Sequence, residues 1–231
     1  MAAPFDLSDN SVVVVVGSGA GGGTLASELA QKGVSVVCLE AGGRHEMQEF
    51  ENDEWPMFVK ISWLDKRTTS GNWRVAKDFA GLPAWIVKAV GGSTVHWAGA
   101  SLRFQEHEFK VKTVYGDVPG ATLLDWPITL AEMEPWYDKA EKKMGTTRTH
   151  GVAGLPGSNN YKVLEAGAKK LGYKEVHTGR MSINPDACQQ IGFCFQGCKS
   201  GAKWSTLVHE IPQAEVTGNL EVRPNAHVVK I

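Results

Sequence analysis

The chain has 231 residues, enough for one large domain or two small ones with a sizeable core. Its 24 basic and 25 acidic residues nearly cancel, which excludes a general electrostatic affinity for nucleic acid or acidic membranes. Ser18, Thr24, Ser27 and Glu28 interrupt the only long apolar stretch, so no segment reads as a membrane span, and the opening MAAPFDLSDN lacks the basic start of a signal peptide.

The first predicted element is a strand at Val12 to Val16, where β-branched side chains suit a pleated surface buried on both faces. It stops at Gly17-Ser18-Gly19-Ala20-Gly21-Gly22, small residues that let the backbone turn and approach a ligand. Apolar spacing from Gly23 to Lys32 is helical, with Gly33 at the C-terminal glycine position. Val34 to Leu39 reads as a second strand ending at Glu40, within which Cys38 is a small buried hydrophobe. In this strand–helix–strand context the glycines form a dinucleotide fingerprint. Gly17 allows the turn, Gly19 admits backbone N–H groups to a pyrophosphate, and Gly22 lets helix and strand pack closely. Ala20 and Gly21 open the helix, whose N-terminus favours a diphosphate. Glu40, eighteen residues beyond Gly22, is placed to accept hydrogen bonds from a ribose and to repel a 2′-phosphate, so FAD or NAD is favoured over NADP.

After the turn Ala41 to Arg44, residues 57–79 carry no clear pattern, and Thr68 to Asn72 reads as a loop. A short strand, Trp85 to Val90, runs into a second glycine bend, Gly91-Gly92-Ser93-Thr94, followed by His96 and Trp97. This bend offers backbone and hydroxyl donors to a ligand; His96 by itself reads equally well as a structural histidine. Thr129 to Met144 is predicted as helix, with a capping box at Thr129 and Glu132, Pro135 starting its longer piece, and Asp138, Lys139, Glu141, Lys142 and Lys143 on a solvated face. A glycine-rich linker, 146–160, precedes a helix from Asn160 to Leu171 that Gly172 stops.

Cys188, Cys194 and Cys198 fall within eleven positions in a loop carrying Gly192, Gly197 and Gly201. Three thiolates closing on one point suit soft metals and iron–sulfur chemistry. The C-x5-C-x3-C spacing is not that of structural zinc, although zinc with His209 or His177 as fourth ligand, or free or disulfide-bonded cysteines, are alternatives. Leu220 to Ile231 reads as strand, turn at Pro224-Asn225, and strand.

The fingerprint, the second glycine bend, Asp125-Trp126-Pro127-Ile128 and Glu134-Pro135-Trp136-Tyr137 together resemble the glucose-methanol-choline (GMC) flavoprotein oxidoreductases. Trp97 stands where many members carry Asn, a departure shared with the large subunits of bacterial membrane-linked sugar, alditol and gluconate dehydrogenases. The resemblance implies an α/β Rossmann-like FAD-binding domain with a helical, loop-rich insertion. The divisions expected are 1–104, 105–217 carrying the cysteines, and return strands at 218–231. It implies that Gly91, Gly92, Ser93, Thr94, His96 and Trp97 line the flavin and its phosphates, that Ala41 lies beside Glu40 at the dinucleotide, and that the Val228 backbone touches the adenine. It further implies a [3Fe–4S] cluster on Cys188, Cys194 and Cys198. A sugar or polyol would give hydride to the flavin, and electrons would pass through the cluster to a cytochrome c subunit. Relatives are exported folded with a small signal-bearing subunit, which implies a periplasmic, membrane-associated location. Nothing in the chain matches the family's catalytic histidine segment, so the chain alone is expected to be inactive. Two other readings are a cofactor-binding piece without catalysis and an NAD-binding reductase.

Overall fold

Val13–Val16 form strand β1 in a computed structural model that describes residues 5–6, 8–53, 56–57 and 87–231. Helix α1 (Ala20–Ala30) and strand β2 (Val36–Leu39) complete a βαβ unit in which β1 and β2 are parallel, Val13 opposite Val36 and Val16 opposite Leu39. Leu220–Arg223, strand β3, adds parallel to the far side of β2, with Val36 opposite Leu220. The sheet order is therefore β1-β2-β3, with β2 central. This is the expected α/β architecture with a parallel sheet.

Burial along β1 differs from the expectation of a strand covered on both faces. Val15 is 7% exposed, but Val14 and Val16 are 44% and 51% exposed. Among the described residues β1 has a strand neighbour on one side only, and α1 packs over one face. β2, with a neighbour on each side, is the strand that is buried through Val36, Val37 and Cys38. The β-branched run thus fixed a strand but not which strand became central.

The α1 face toward the core is made of small side chains, Ala26, Ser27 and Ala30, all fully buried. They admit a second helix, Ile211–Glu215, at close range, and its Ile211 and Ala214 are likewise buried. A π-helical turn, Thr206–Glu210, leads into that helix. Cys38 is fully buried as expected; burial pushes its thiol up to about 12, which keeps it an inert neutral thiol.

The expected strand at 85–90 is described only from Val87 onward. Ala89 there bridges in parallel to Gly43, and the Val90 N–H donates to the Gly43 carbonyl at 2.8 Å. Trp85, Ile86 and the loop expected at 68–72 lie outside the described residues. After β3 the chain turns at Asn225 (φ +58), and its N–H and that of Ala226 donate to Gly42 and Glu40. The second strand expected there does not form: these two bonds run past the end of β2, where there is no further ladder to join.

The chain divides into two compact units, one of residues 1–98 and 187–231, the other Gly99–Asp186. The division falls elsewhere than 104/105 and 217/218. The cysteine loop belongs to the dinucleotide-type unit, because Lys203 and Thr206 tie its neighbourhood to the second glycine bend.

The second unit carries Glu106–Phe109, Val111–Tyr115, Leu130–Met144 and Asn159–Lys170 as helices. Thr129 caps the third of these with the expected reciprocal capping box to Glu132. Pro135 lies inside this continuous helix and does not begin it, since the box has already started the helix one and a half turns earlier. Glu141 is not on a solvated face; it is 4% exposed and takes two hydrogen bonds from Arg103 and one from Arg180. The start of the expected linker is also built in, with Thr146 and Thr147 fully buried and bonded to Ser182 and Met181. The last helix begins at the Ser158 cap and is followed by Gly172 at φ +87, close to the predicted stop.

Candidate functional site

The first glycine bend is shaped by two close approaches. Gly17 takes φ +86 at the end of β1, and a Cβ on Gly22 would stand 2.0 Å from the Gly17 carbonyl oxygen. Only glycine at 22 lets α1 start that close to the strand it leaves. Gly19 is the α1 N-cap, with no side-chain hydrogen bond, and no acidic residue occupies the first turn. The first-turn N–H groups of this eleven-residue helix thus keep their donors and the positive end of the dipole for an anion. Gly21 has nothing within 4 Å of a built Cβ, so the bend is open on that side. Ala20, the first helical residue, stands next to it.

Glu40 is 5% exposed and its carboxylate is turned inward. One oxygen accepts from the Ser18 N–H (2.9 Å) and hydroxyl (2.7 Å), the other from the Gly42 N–H (2.9 Å). A carboxylate has about four acceptor sites, so capacity for a ribose hydroxyl remains on the second oxygen. Glu40 also holds the first bend in place, a role its position in the motif does not announce. Ala41 is partly buried, and Gly42 packs on the Lys88 backbone so closely that a Cβ would lie 2.0 Å from its carbonyl.

The second bend meets the first. Gly91 and Gly92 have φ +98 and +52, and a Cβ on Gly92 would stand 2.7 Å from the Gly19 Cα. The Gly91 N–H donates to the Ser18 hydroxyl oxygen at 3.0 Å. Thr94, buried in the short 3-10 turn Gly92–Thr94, donates from its hydroxyl to the Gly91 carbonyl at 2.5 Å and accepts the Thr206 N–H at 3.1 Å. The Thr206 hydroxyl donates to the Ser18 carbonyl at 2.7 Å, and Ser93 is exposed. Ser18, Gly91, Thr94 and Thr206 thus form one buried polar cluster that fastens both bends together.

Thr206 escaped the sequence reading because it belongs to no motif and sits 112 positions from Thr94. In the structure it stands at the start of a π-helical turn, a geometry frequent at functional sites. Thr206→Val, which keeps the shape and removes the hydroxyl, is expected to destabilise the protein by about 1–3 kcal/mol, because the fully buried Ser18 residue loses a donor to its carbonyl. Urea unfolding measures this, and an unchanged midpoint would show that the cluster does not hold the bends.

His96 is 2% exposed, its Nδ1 hydrogen-bonded to the Phe195 carbonyl and its ring edge-on to Phe195 at 6.3 Å. The Trp97 Nε1–H donates to the Trp204 carbonyl at 3.0 Å, and the two indoles pack edge-to-face at 6.3 Å. His96 therefore joins the second bend to the cysteine loop itself, and Trp97 joins it to the segment after the cysteines. Val228 is half-buried, two residues beyond the Ala226 N–H that donates to Glu40.

Cys188, Cys194 and Cys198, all without disulfides, line one cavity together with Gln190, Phe193 and Ser200. Burial works to raise the Cys198 thiol, but the Ser200 hydroxyl and the Lys203 and Ala202 N–H groups outweigh it and hold it below the usual thiol range. Burial raises Cys194, against the pull of the Lys203 charge. The three Sγ atoms do not all come within 4.8 Å of one another. A tetrahedral zinc with Zn–S bonds of about 2.3 Å needs sulfurs about 3.8 Å apart. Neither His177 nor His209 joins them, so the zinc alternative is not assembled. Among the described residues, then, three free thiols line one cavity.

Beneath this loop Lys203 is 1% exposed, its ammonium donating to the carbonyls of Val95 (2.8 Å), Trp97 (2.7 Å) and Cys194 (2.5 Å). Burial pulls it down to about 8, and the two thiols Cys194 and Cys198 act in the opposite sense.

Two glycine bends meeting at the mouth of a parallel βαβ unit define an α/β dinucleotide-binding protein of the Rossmann type. Residues 7–231 match the family described as GMC oxidoreductase, and the chain belongs to that family of dehydrogenases and oxidases. It is 28% identical over 240 residues to 6'''-hydroxyparomomycin C oxidase of Streptomyces lividus, covering 95% of this chain and 41% of that one. It is 30% identical over 156 residues to the fructose dehydrogenase large subunit of Gluconobacter japonicus, covering 60% and 28%. It is 23% identical to the gluconate 2-dehydrogenase flavoprotein of Pantoea cypripedii, covering 94% and 44%. Among solved structures, pyridoxine 4-oxidase from Mesorbium loti shares the fold at a TM-score of 0.53 and 16% identity, over 92% of this chain and 42% of that one. The chain spans less than half the length of these relatives.

Proposed function

We propose that this chain is the FAD-binding portion of a dehydrogenase that oxidises an alcohol group of a sugar, polyol or sugar acid. The carrying observation is the contact of the second bend with the first, Gly92 against Gly19, locked by Ser18, Thr94 and Thr206. A nicotinamide-binding unit needs the first bend only. In this reading the first-turn N–H groups of α1 hold the diphosphate, Glu40 orders the bend and accepts from the ribose, and Gly91 to Thr94 run beside the flavin. His96 and Trp97, anchored to Phe195 and Trp204, keep that bend rigid. When bound, FAD supplies the two-electron acceptor.

The same reading places an iron–sulfur cluster, [3Fe–4S] in type, on Cys188, Cys194 and Cys198, where it supplies one-electron transfer toward a cytochrome c subunit. Three thiols around one cavity support it, as does a buried cation beside two of them. Partners then include a small signal-bearing subunit, and the assembly works at the periplasmic face of a membrane. No helix among the described residues is long and apolar enough to cross a membrane.

Anaerobically purified protein tests this by its absorption and electron-paramagnetic-resonance spectra. Released yellow FAD, with three irons per flavin, is the expected result. Bound NAD in place of flavin would overturn the first part, and stoichiometric FAD without iron the second.

A further inference from the structure

Lys203 makes no hydrogen bond within the first glycine bend, yet its ammonium is almost fully buried beside the second. A fully buried ammonium ordinarily sits against a carboxylate, because an isolated charge in low dielectric is strongly disfavoured. No carboxylate among the described residues pairs with Lys203. Its three donors are saturated by three backbone carbonyls, Val95 and Trp97 from the second glycine bend and Cys194 from the cysteine loop. Carbonyl dipoles solvate the charge but do not neutralise it. The groups in its surroundings that can carry negative charge are the sulfurs of Cys194 and Cys198, the latter already accepting the Lys203 backbone N–H at 3.3 Å.

Packing alone does not call for a lysine here, since an apolar side chain of similar length would fill the space without the desolvation cost. What a methionine or leucine cannot supply is the positive charge and the three-way tie between two loops.

We propose that Lys203 is the built-in counter-ion of the cysteine loop, binding it to the second glycine bend and raising the reduction potential of an anionic sulfur-ligated centre held there. The inference rests on the iron–sulfur reading above and assigns Lys203 as a positioning residue, acting through Cys194 and Cys198. A positive charge nearby stabilises the more negative, reduced state of the centre, so removing it moves the potential negative.

The test compares Lys203→Met and Lys203→Arg with the unmodified protein in an anaerobic redox titration followed by electron paramagnetic resonance, with bound FAD as the check on folding. Lys203→Met is expected to keep its flavin and shift the cluster equilibrium toward the oxidised form at least tenfold, about 59 mV for a one-electron couple. Lys203→Arg, which keeps the charge, is expected to stay near the original potential. Iron-free unmodified protein would sink the iron–sulfur reading itself. Iron-bearing unmodified protein with an unshifted Lys203→Met variant would sink only the counter-ion role. If Lys203→Met does not fold, Lys203→Arg decides: an unchanged potential upholds the proposal and a negative shift overturns it.

Discussion

Gly92→Ala is expected to yield protein that is destabilised by about 2–5 kcal/mol and emerges from purification without FAD. The lower part of that range is the cost of overpacking, about 1–3 kcal/mol, since the new Cβ would stand 2.7 Å from the Gly19 Cα. Both atoms belong to backbone, so no flexible side chain can give way. The rest is the cost of an L-residue at φ +52, about 1–2 kcal/mol. Relief requires the two bends to separate, which breaks the Gly91 to Ser18 hydrogen bond and misaligns both sets of donors. Gly21→Ala is the control. Nothing lies within 4 Å of its Cβ, so its melting temperature should hold. Thermal melts and flavin absorbance read both outcomes. A Gly92→Ala protein with stoichiometric FAD would show that the contact between the bends is not what binds the cofactor.

Glu141→Gln is expected to cost about 3–5 kcal/mol at neutral pH, the range for leaving a buried ion pair with one partner. The Glu141 carboxylate accepts from Arg103 at 2.8 and 2.7 Å and from Arg180 at 3.1 Å; without it Arg180 loses its carboxylate partner and Arg103 keeps only the more exposed Asp138. Water reaches Arg103 and Arg180, with side chains 22% and 40% exposed, which places the cost toward the lower end. The hydrogen bonds from Arg103 hold the Glu141 carboxyl below the usual glutamate range, against the opposing effect of burial. A depressed folded-state pKa means that the stabilisation is complete above the unfolded pKa and is lost as pH falls through the folded one. The gap between the original protein and Glu141→Gln, measured by urea unfolding, should therefore be widest near neutrality and close in acid. Equal stabilities at neutral pH would refute the assignment. Asp138 and His150 bring their ligand atoms within 4.8 Å of Glu141, but both Glu141 oxygens and Asp138 already carry arginine hydrogen bonds, which makes this a charge-neutralising knot.

Local chemistry was legible wherever a short run of residues settled it. The βαβ unit followed from the valines, the glycines and the helical spacing, and the capping box at Thr129 from two side chains three positions apart. Glu141 was misread as solvated because helical periodicity groups it with its charged neighbours, whereas Arg103 and Arg180 lie 38 and 39 positions away. Val14 and Val16 were misread for the converse reason. Their type encodes a strand, but strand order is decided by β3, which arrives some two hundred residues later beside β2.

The amino-acid order by itself determined the dinucleotide fingerprint, both glycine bends and the clustering of three cysteines, because each needs only glycine's freedom at positive φ, helix-terminal donors or thiol spacing over a few residues. Only the tertiary structure decided that the two bends touch, that Thr206 and Ser18 fasten them, and that Lys203 lies sealed between the second bend and the cysteines. Most of these rest on hydrogen bonds between segments about seventy to one hundred and ninety positions apart, which carry no local pattern.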